Sequence, residues 1–120
     1  MRSVSSERNE TVTTALISED DMLSALHWST RLLTRAIESR RIFFVMIAGR
    51  RLFPAFYADR RYNRKHLWAV TKRLGNLPDG SKLQFFQTPK ASLGGLTPLR
   101  ALDDGKVEEV NVAAEGFASR

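Results

Sequence analysis

Along this chain of 120 residues, apolar positions recur first at helical spacing, then at strand spacing, then at helical spacing again. The first helical block follows Ser18, whose hydroxyl suits an N-cap, with Glu19, Asp20 and Asp21 in the first turn where the helix dipole favours negative charge. Met22, Leu23 and Leu26 form its apolar side. A turn of about three residues at Trp28 then leads into a second helix over 31–41, which Ser29 or Thr30 can cap. This helix carries the clearest pattern in the chain: Leu32, Leu33, Ala36 and Ile37 fall on one side, and Arg31, Thr34, Arg35 and Glu38 on the other. The period then shortens. Residues 42–47 and 52–57 are rich in β-branched and aromatic residues, and the intervening Ala48-Gly49-Arg50-Arg51 holds the glycine that a tight hairpin turn needs. Pro54 lacks an amide hydrogen, so the second strand either lies at an edge or ends there.

Helical spacing returns after the basic stretch 59–65, with Leu67, Trp68, Val70 and Leu74 as an apolar side and Gly75 as the C-terminal cap. A short helix is predicted over 82–87, carrying Leu83, Phe85 and Phe86 inward. Thr88-Pro89 and Thr97-Pro98 each read as a threonine N-cap followed by proline in a first helical turn, with Gly94-Gly95 separating them. The last helix follows Gly105 and aligns Val107, Val110, Ala113, Ala114 and Phe117. The polar residues 1–15 are expected to form a disordered tail. These elements give an α+β chain, mainly α: a winged helix-turn-helix of two helices and a β-hairpin over 18–60, then a small helical interaction or dimerisation domain over 61–120.

Charge sharpens the picture because it is unevenly placed. The net charge is +6, yet residues 1–29 hold two arginines against five acids and residues 76–120 hold five Lys/Arg against six. Between them, residues 30–75 hold twelve Lys/Arg against Glu38 and Asp59. Such a block produces a local field that attracts a polyanion, and double-stranded DNA is the partner this order of elements suits. Arg31, Thr34 and Arg35 are the base-reading candidates on the outer face of the second helix. Ser29, Thr30, Arg50, Arg51, Arg60, Arg61 and Arg64 are the phosphate-contact candidates, with Arg50 and Arg51 expected together at the hairpin tip as phosphate or minor-groove contacts. A homodimer is expected, since two half-sites supply the specificity that one short recognition helix lacks.

Candidate catalytic chemistry is sparse. There is no cysteine, which removes disulfides, thiolate metal sites and cysteine nucleophiles and fits a cytoplasmic setting. His27 and His66 stand in no metal-ligand spacing and are read as a buried or partly buried ring and a surface ring. Ser92 to Leu96 has two glycines without the Lys-Ser/Thr of a phosphate loop, and Asp103, Asp104, Glu108 and Glu109 form a solvated face. Neither an enzyme nor a cofactor or metal is expected. The sequence has no signal-peptide pattern and no apolar run approaching the roughly 20 residues of a membrane span.

Pro54 to Asp59, Phe85 to Gly105 and the following Val107 to Ala118 resemble small bacterial proteins related to the Xre/MbcA/ParS-type antitoxins. The most specific element is the L-G-G-x-T-P-L-x-x-L pattern from Leu93 to Leu102, which is similar to that family's toxin-binding C-terminal domain. The likeness spans most of residues 18–118, although the N-terminal half is closer to a winged or MerR-like unit than to the longer helical bundle of Xre-type domains. It implies operator binding with autoregulation, and a toxin as protein partner. Two other readings stand beside it: an interaction module that keeps the fold without binding DNA, and an RNA adaptor, for which no aromatic sheet face is evident.

Overall fold

The computed structural model describes residues 15–119, so the tail expected over 1–15 lies outside the described residues except for Ala15. The chain is α+β and mainly helical, with six α-helices and one three-stranded antiparallel sheet among the described residues. Strand β1 (Leu16–Ser18) runs directly into α1 (Glu19–Leu26), and α2 (Thr30–Glu38) follows after three residues. Strands β2 (Val45–Ile47) and β3 (Arg50–Pro54) form the hairpin, and a 3-10 turn (Ala55–Ala58) leads away from it. Four α-helices follow among the described residues: α3 (Arg64–Leu74), α4 (Asp79–Gln87), α5 (Pro98–Asp103) and α6 (Val107–Ala118).

Local chemistry accounts for the helix ends. The Ser18 hydroxyl accepts from the Asp21 amide at 3.1 Å, and the three acids of the first turn add a favourable dipole interaction. Thr97 does the same for α5, accepting from Arg100 N–H at 3.1 Å with Pro98 in the first turn. Thr88-Pro89 has the opposite role to the one expected. No helix begins there; Thr88 ends α4, and its hydroxyl donates back to the Gln84 carbonyl at 2.7 Å. Helix α4 also starts at Asp79, three residues before the expected Lys82.

The sheet departs from expectation in three respects. Its order is β1-β3-β2, so β3 is the central strand and Pro54 is tolerated because the strand ends at it. Strand β1 gives no periodic signal in three residues; pairing of Leu16 with Pro54 and Ser18 with Leu52 creates it. The hairpin turn comprises Ala48 and Gly49 alone, both with positive φ (54° and 78°), as a type I′ turn requires. Glycine adopts this conformation freely, whereas Ala48 costs about 1 kcal/mol.

One contiguous apolar cluster joins all of these elements, from Met22 and Leu33 through Phe43, Phe53 and Tyr57 to Leu67, Phe86, Val110 and Ala114. At its centre, Phe86 lies 4.7 Å from the Phe56 ring and stacks at 6.2 Å on Phe43. Beside them the buried Tyr57 hydroxyl and Thr71 Oγ1 are 2.6 Å apart. Thr71 gives its proton to the Leu67 carbonyl at 2.9 Å, so Tyr57 must donate to Thr71, while the Phe43 backbone hydrogen-bonds the phenol oxygen. Burial pushes the Tyr57 hydroxyl well above the ordinary tyrosine range. The unfolded chain therefore releases this proton near pH 10 while the folded one keeps it. Stability is expected to hold up to about pH 10 and then to fall by about 1.4 kcal/mol per pH unit from this residue alone. Urea unfolding between about pH 9 and pH 11 checks this, since Tyr57→Phe should be less stable at neutral pH yet flatter across that window.

Candidate nucleic-acid interface

Helix α2 presents its polar face to solvent. Leu33 and Ala36 are buried and Ile37 is half-buried, whereas Arg31, Thr34, Arg35 and Glu38 are exposed, with Leu32 at the margin at 44% exposure. Ser29 is the N-cap, its Oγ accepting from Leu32 N–H at 3.3 Å, and Thr30 is exposed at the first helical position. The first turn contains no acid, unlike that of α1, so the positive end of the helix dipole and Arg31 face solvent together.

The turn before α2 is fixed at both ends. His27 is exposed and left-handed (φ 58°), closing α1 by donating its backbone N–H to the Leu23 and Ser24 carbonyls. Trp28 then packs against Trp68 of α3 with ring centroids 6.3 Å apart, and the Arg41 guanidinium lies 5.1 Å over the Trp68 ring. This seam ties the α1-α2 corner to the C-terminal helices, and His66 on the same helix is half-buried.

The structure separates the two arginines that adjoin in sequence. Both lie in β3 and so point to opposite sheet faces. Arg50 is exposed beside the turn, opposite Ile47. Arg51 turns inward: its Nε and Nη2 donate to Glu19 Oε1 at 3.1 and 2.8 Å, and its guanidinium lies 4.9 Å from the Phe44 ring and 5.8 Å from that of Phe53. It is a brace between hairpin and α1, with its Nε–H and one Nη2–H engaged by Glu19.

Arg60, Arg61 and Arg64 are exposed around the start of α3. Arg61 is engaged locally: its backbone N–H donates to Asp59 Oδ1 at 2.9 Å, its Nε is 3.9 Å from Asp59 Oδ2, and the charge of Asp59 pushes its pKa up. The neighbouring Tyr62 hydroxyl is raised chiefly by burial. These residues form a second basic segment in the chain.

Sequence patterning missed two surface features. One is the apolar hairpin tip, with Met46 57% and Ile47 48% exposed. The other is an open groove of about 680 Å³ beside α6, lined by Lys90, Ser92, Glu108, Glu109, Val112, Ala113, Gly116 and Phe117. Val112, 62% exposed, lies off the apolar stripe that was the legible signal in this helix. Among the described residues no group of three or more His, Cys, Asp or Glu could hold a metal, and no helix is long and apolar enough to cross a membrane. Comparisons with protein-family models, with curated proteins and with solved structures found no match to this chain.

Proposed function

We propose that residues 16–54 form a winged helix-turn-helix that binds duplex DNA, with α2 in the major groove, and that the protein acts as a homodimeric transcriptional regulator in the cytoplasm. One observation carries this reading: an amphipathic helix, entered by a three-residue turn with a left-handed first residue, exposes Arg31, Thr34 and Arg35 on the face opposite its buried side. The order β1-α1-α2-β2-β3, with β3 between the other two strands, supports it by placing a hairpin after that helix. Guanine offers two acceptors in the major groove, which an arginine fork engages together.

Selection from a pool of randomised duplexes, followed by fluorescence anisotropy on the enriched and a scrambled sequence, tests the proposal. Enrichment of a two-fold sequence with half-sites roughly 34 Å apart is expected, with affinity falling as salt rises. No enrichment, together with equal affinity for the scrambled duplex, would sink it. A match between the enriched sequence and the DNA preceding the coding region would place the protein in its own control circuit.

The groove beside α6 favours a second role, as the docking site of a protein partner. With the antitoxin-like pattern from Leu93 to Leu102, that partner is a toxin. A stoichiometric partner that survives nuclease treatment and is lost with Val112→Arg is the expected result; retention by that variant counts against the groove.

A further inference from the structure

Helix α6 has an outer face that the rest of the chain does not account for. Val112 is 62% exposed, more than any other large apolar side chain among the described residues, and it lies between Glu109 and Gly116 along one side of the helix. Gly116 is not in the left-handed conformation for which glycine is usually kept, and a methyl group added there would meet no atom of this chain within 4 Å. Glycine weakens a helix relative to alanine, so neither the backbone nor the packing of this chain calls for it at that position. The face also carries opposite charges at its two ends. Glu108 and Glu109 stand exposed in the first turn, whereas the Lys90 ammonium lies at the other end, 4.5 Å over the Phe117 ring.

We propose that this face pairs with the same face of a second copy of the chain, the two α6 helices crossing antiparallel about a two-fold axis at Val112 and Ala113. The inference rests on the homodimer reading and goes beyond it in naming the interface and its geometry. Reversing the helix about that point brings Glu109 over the partner's Gly116, and Glu108 to the partner's Phe117 with its lysine cation. Val112 and Ala113 meet their own counterparts at the centre. A two-fold contact needs a patch of this kind, one that complements itself when turned by half a revolution. A parallel arrangement would set the acids of one copy against those of the other, so charge fixes the direction. The glycine gains a use in this arrangement. Packed helices keep their axes about 8–10 Å apart according to the side chains at the contact, and the space beside Gly116 admits the aliphatic stem of a glutamate without forcing the axes apart. The pairing fills the groove that the toxin role assigns to a different protein, so the two occupants exclude each other and a toxin docks there only on a separated chain.

Analytical ultracentrifugation of the full chain without DNA, over a range of protein concentrations, tests the pairing. The parent protein is expected to pass from one chain to two as concentration rises. Val112→Arg, which sets a cation on each side of the axis, should raise the dissociation constant about 100-fold. Gly116→Ala separates association from folding: in dilute protein, where the chain is single, it should raise the thermal midpoint by about 2–4 °C, yet it should weaken association about tenfold. Glu108→Lys and Lys90→Glu should each weaken association about tenfold, and the two together should return it to within about threefold of the parent. If the dimer persists in Val112→Arg, if Gly116→Ala leaves association unchanged, or if the exchanged charges bring no recovery, the copies join elsewhere, and the inference falls while the homodimer reading stands. A parent protein that stays a single chain at every concentration overturns the inference, and if it also occupies the two-fold duplex as one copy, the homodimer reading falls with it.

Discussion

Alanine at both Arg31 and Arg35 is expected to lower affinity for the enriched duplex about 100-fold, to the level of a scrambled one, while leaving the fold intact. Each arginine that grips a guanine edge supplies about 1–3 kcal/mol of discrimination, and two such losses remove most of what separates a specific site from bulk DNA. The fold should be indifferent because both side chains are exposed and their helix-dipole effects offset. Arg31 sits in the first turn, where a cation is unfavourable, and Arg35 in the last, where it is favourable, each by a few tenths of a kcal/mol. Arg35→Lys separates geometry from charge: it keeps the cation and loses the planar fork, so it should retain scrambled-duplex affinity and lose preference. If instead the double variant weakens both duplexes equally and reduces the salt slope by about 2, the arginines touch phosphates and the base-reading assignment is wrong.

The parts of this candidate interface that were legible in the sequence are those whose determinants are local. Helix α2 can be read directly because its apolar and charged residues segregate at 100° per residue and a serine caps it, and the observed burial of Leu33 and Ala36 follows that segregation. The hairpin was legible as a hairpin but its register was not. Counting Ala48 to Arg51 as one loop puts both arginines at the tip, whereas a two-residue turn at Ala48-Gly49 moves them into β3 on opposite faces. In a ribbon of period two, a small shift in the turn decides which side chains reach solvent. No local signal announces that Glu19, far away in sequence, will claim Arg51.

Strand β1 and the two Thr-Pro pairs show the same limit from another side. Leu16–Ser18 becomes a strand only because β3 offers its unpaired edge, a contact between residues remote in sequence. Thr97-Pro98 and Thr88-Pro89 look identical in isolation, yet the first opens α5 and the second closes α4. A threonine hydroxyl can accept from an amide ahead of it or donate to a carbonyl behind it, and the preceding Phe85 and Phe86, buried in the core, decide which neighbour is in reach. The pattern divides the chain into 18–60 and 61–120, and the aromatic residues of each part lie in one apolar cluster.

That shared cluster leads to the largest stability effect. Phe86→Ala is expected to cost about 3–5 kcal/mol, a substantial part of the roughly 5–15 kcal/mol that holds a domain of this size together. Phe86 is fully buried on α4 and touches Phe43 and Phe56, which border the hairpin, as well as Phe85 at 5.7 Å. Truncating it opens a cavity between the N-terminal sheet and the C-terminal helices, where neither can collapse inward without giving up ring contacts. Because the ring belongs to both halves, urea unfolding followed by tryptophan fluorescence and by far-ultraviolet circular dichroism should give one coincident transition, shifted to lower denaturant in the variant. Phe86→Leu, which keeps most of the volume, should cost about 1.5 kcal/mol or less. Two separated transitions in the parent protein, or a Phe86→Ala cost below about 1 kcal/mol, would mean that the α2 face stands on a core of its own. A coincident transition has the converse consequence: any partner that grips the α6 groove and stabilises the helices there also stabilises the α2 face, because the two share one folding equilibrium.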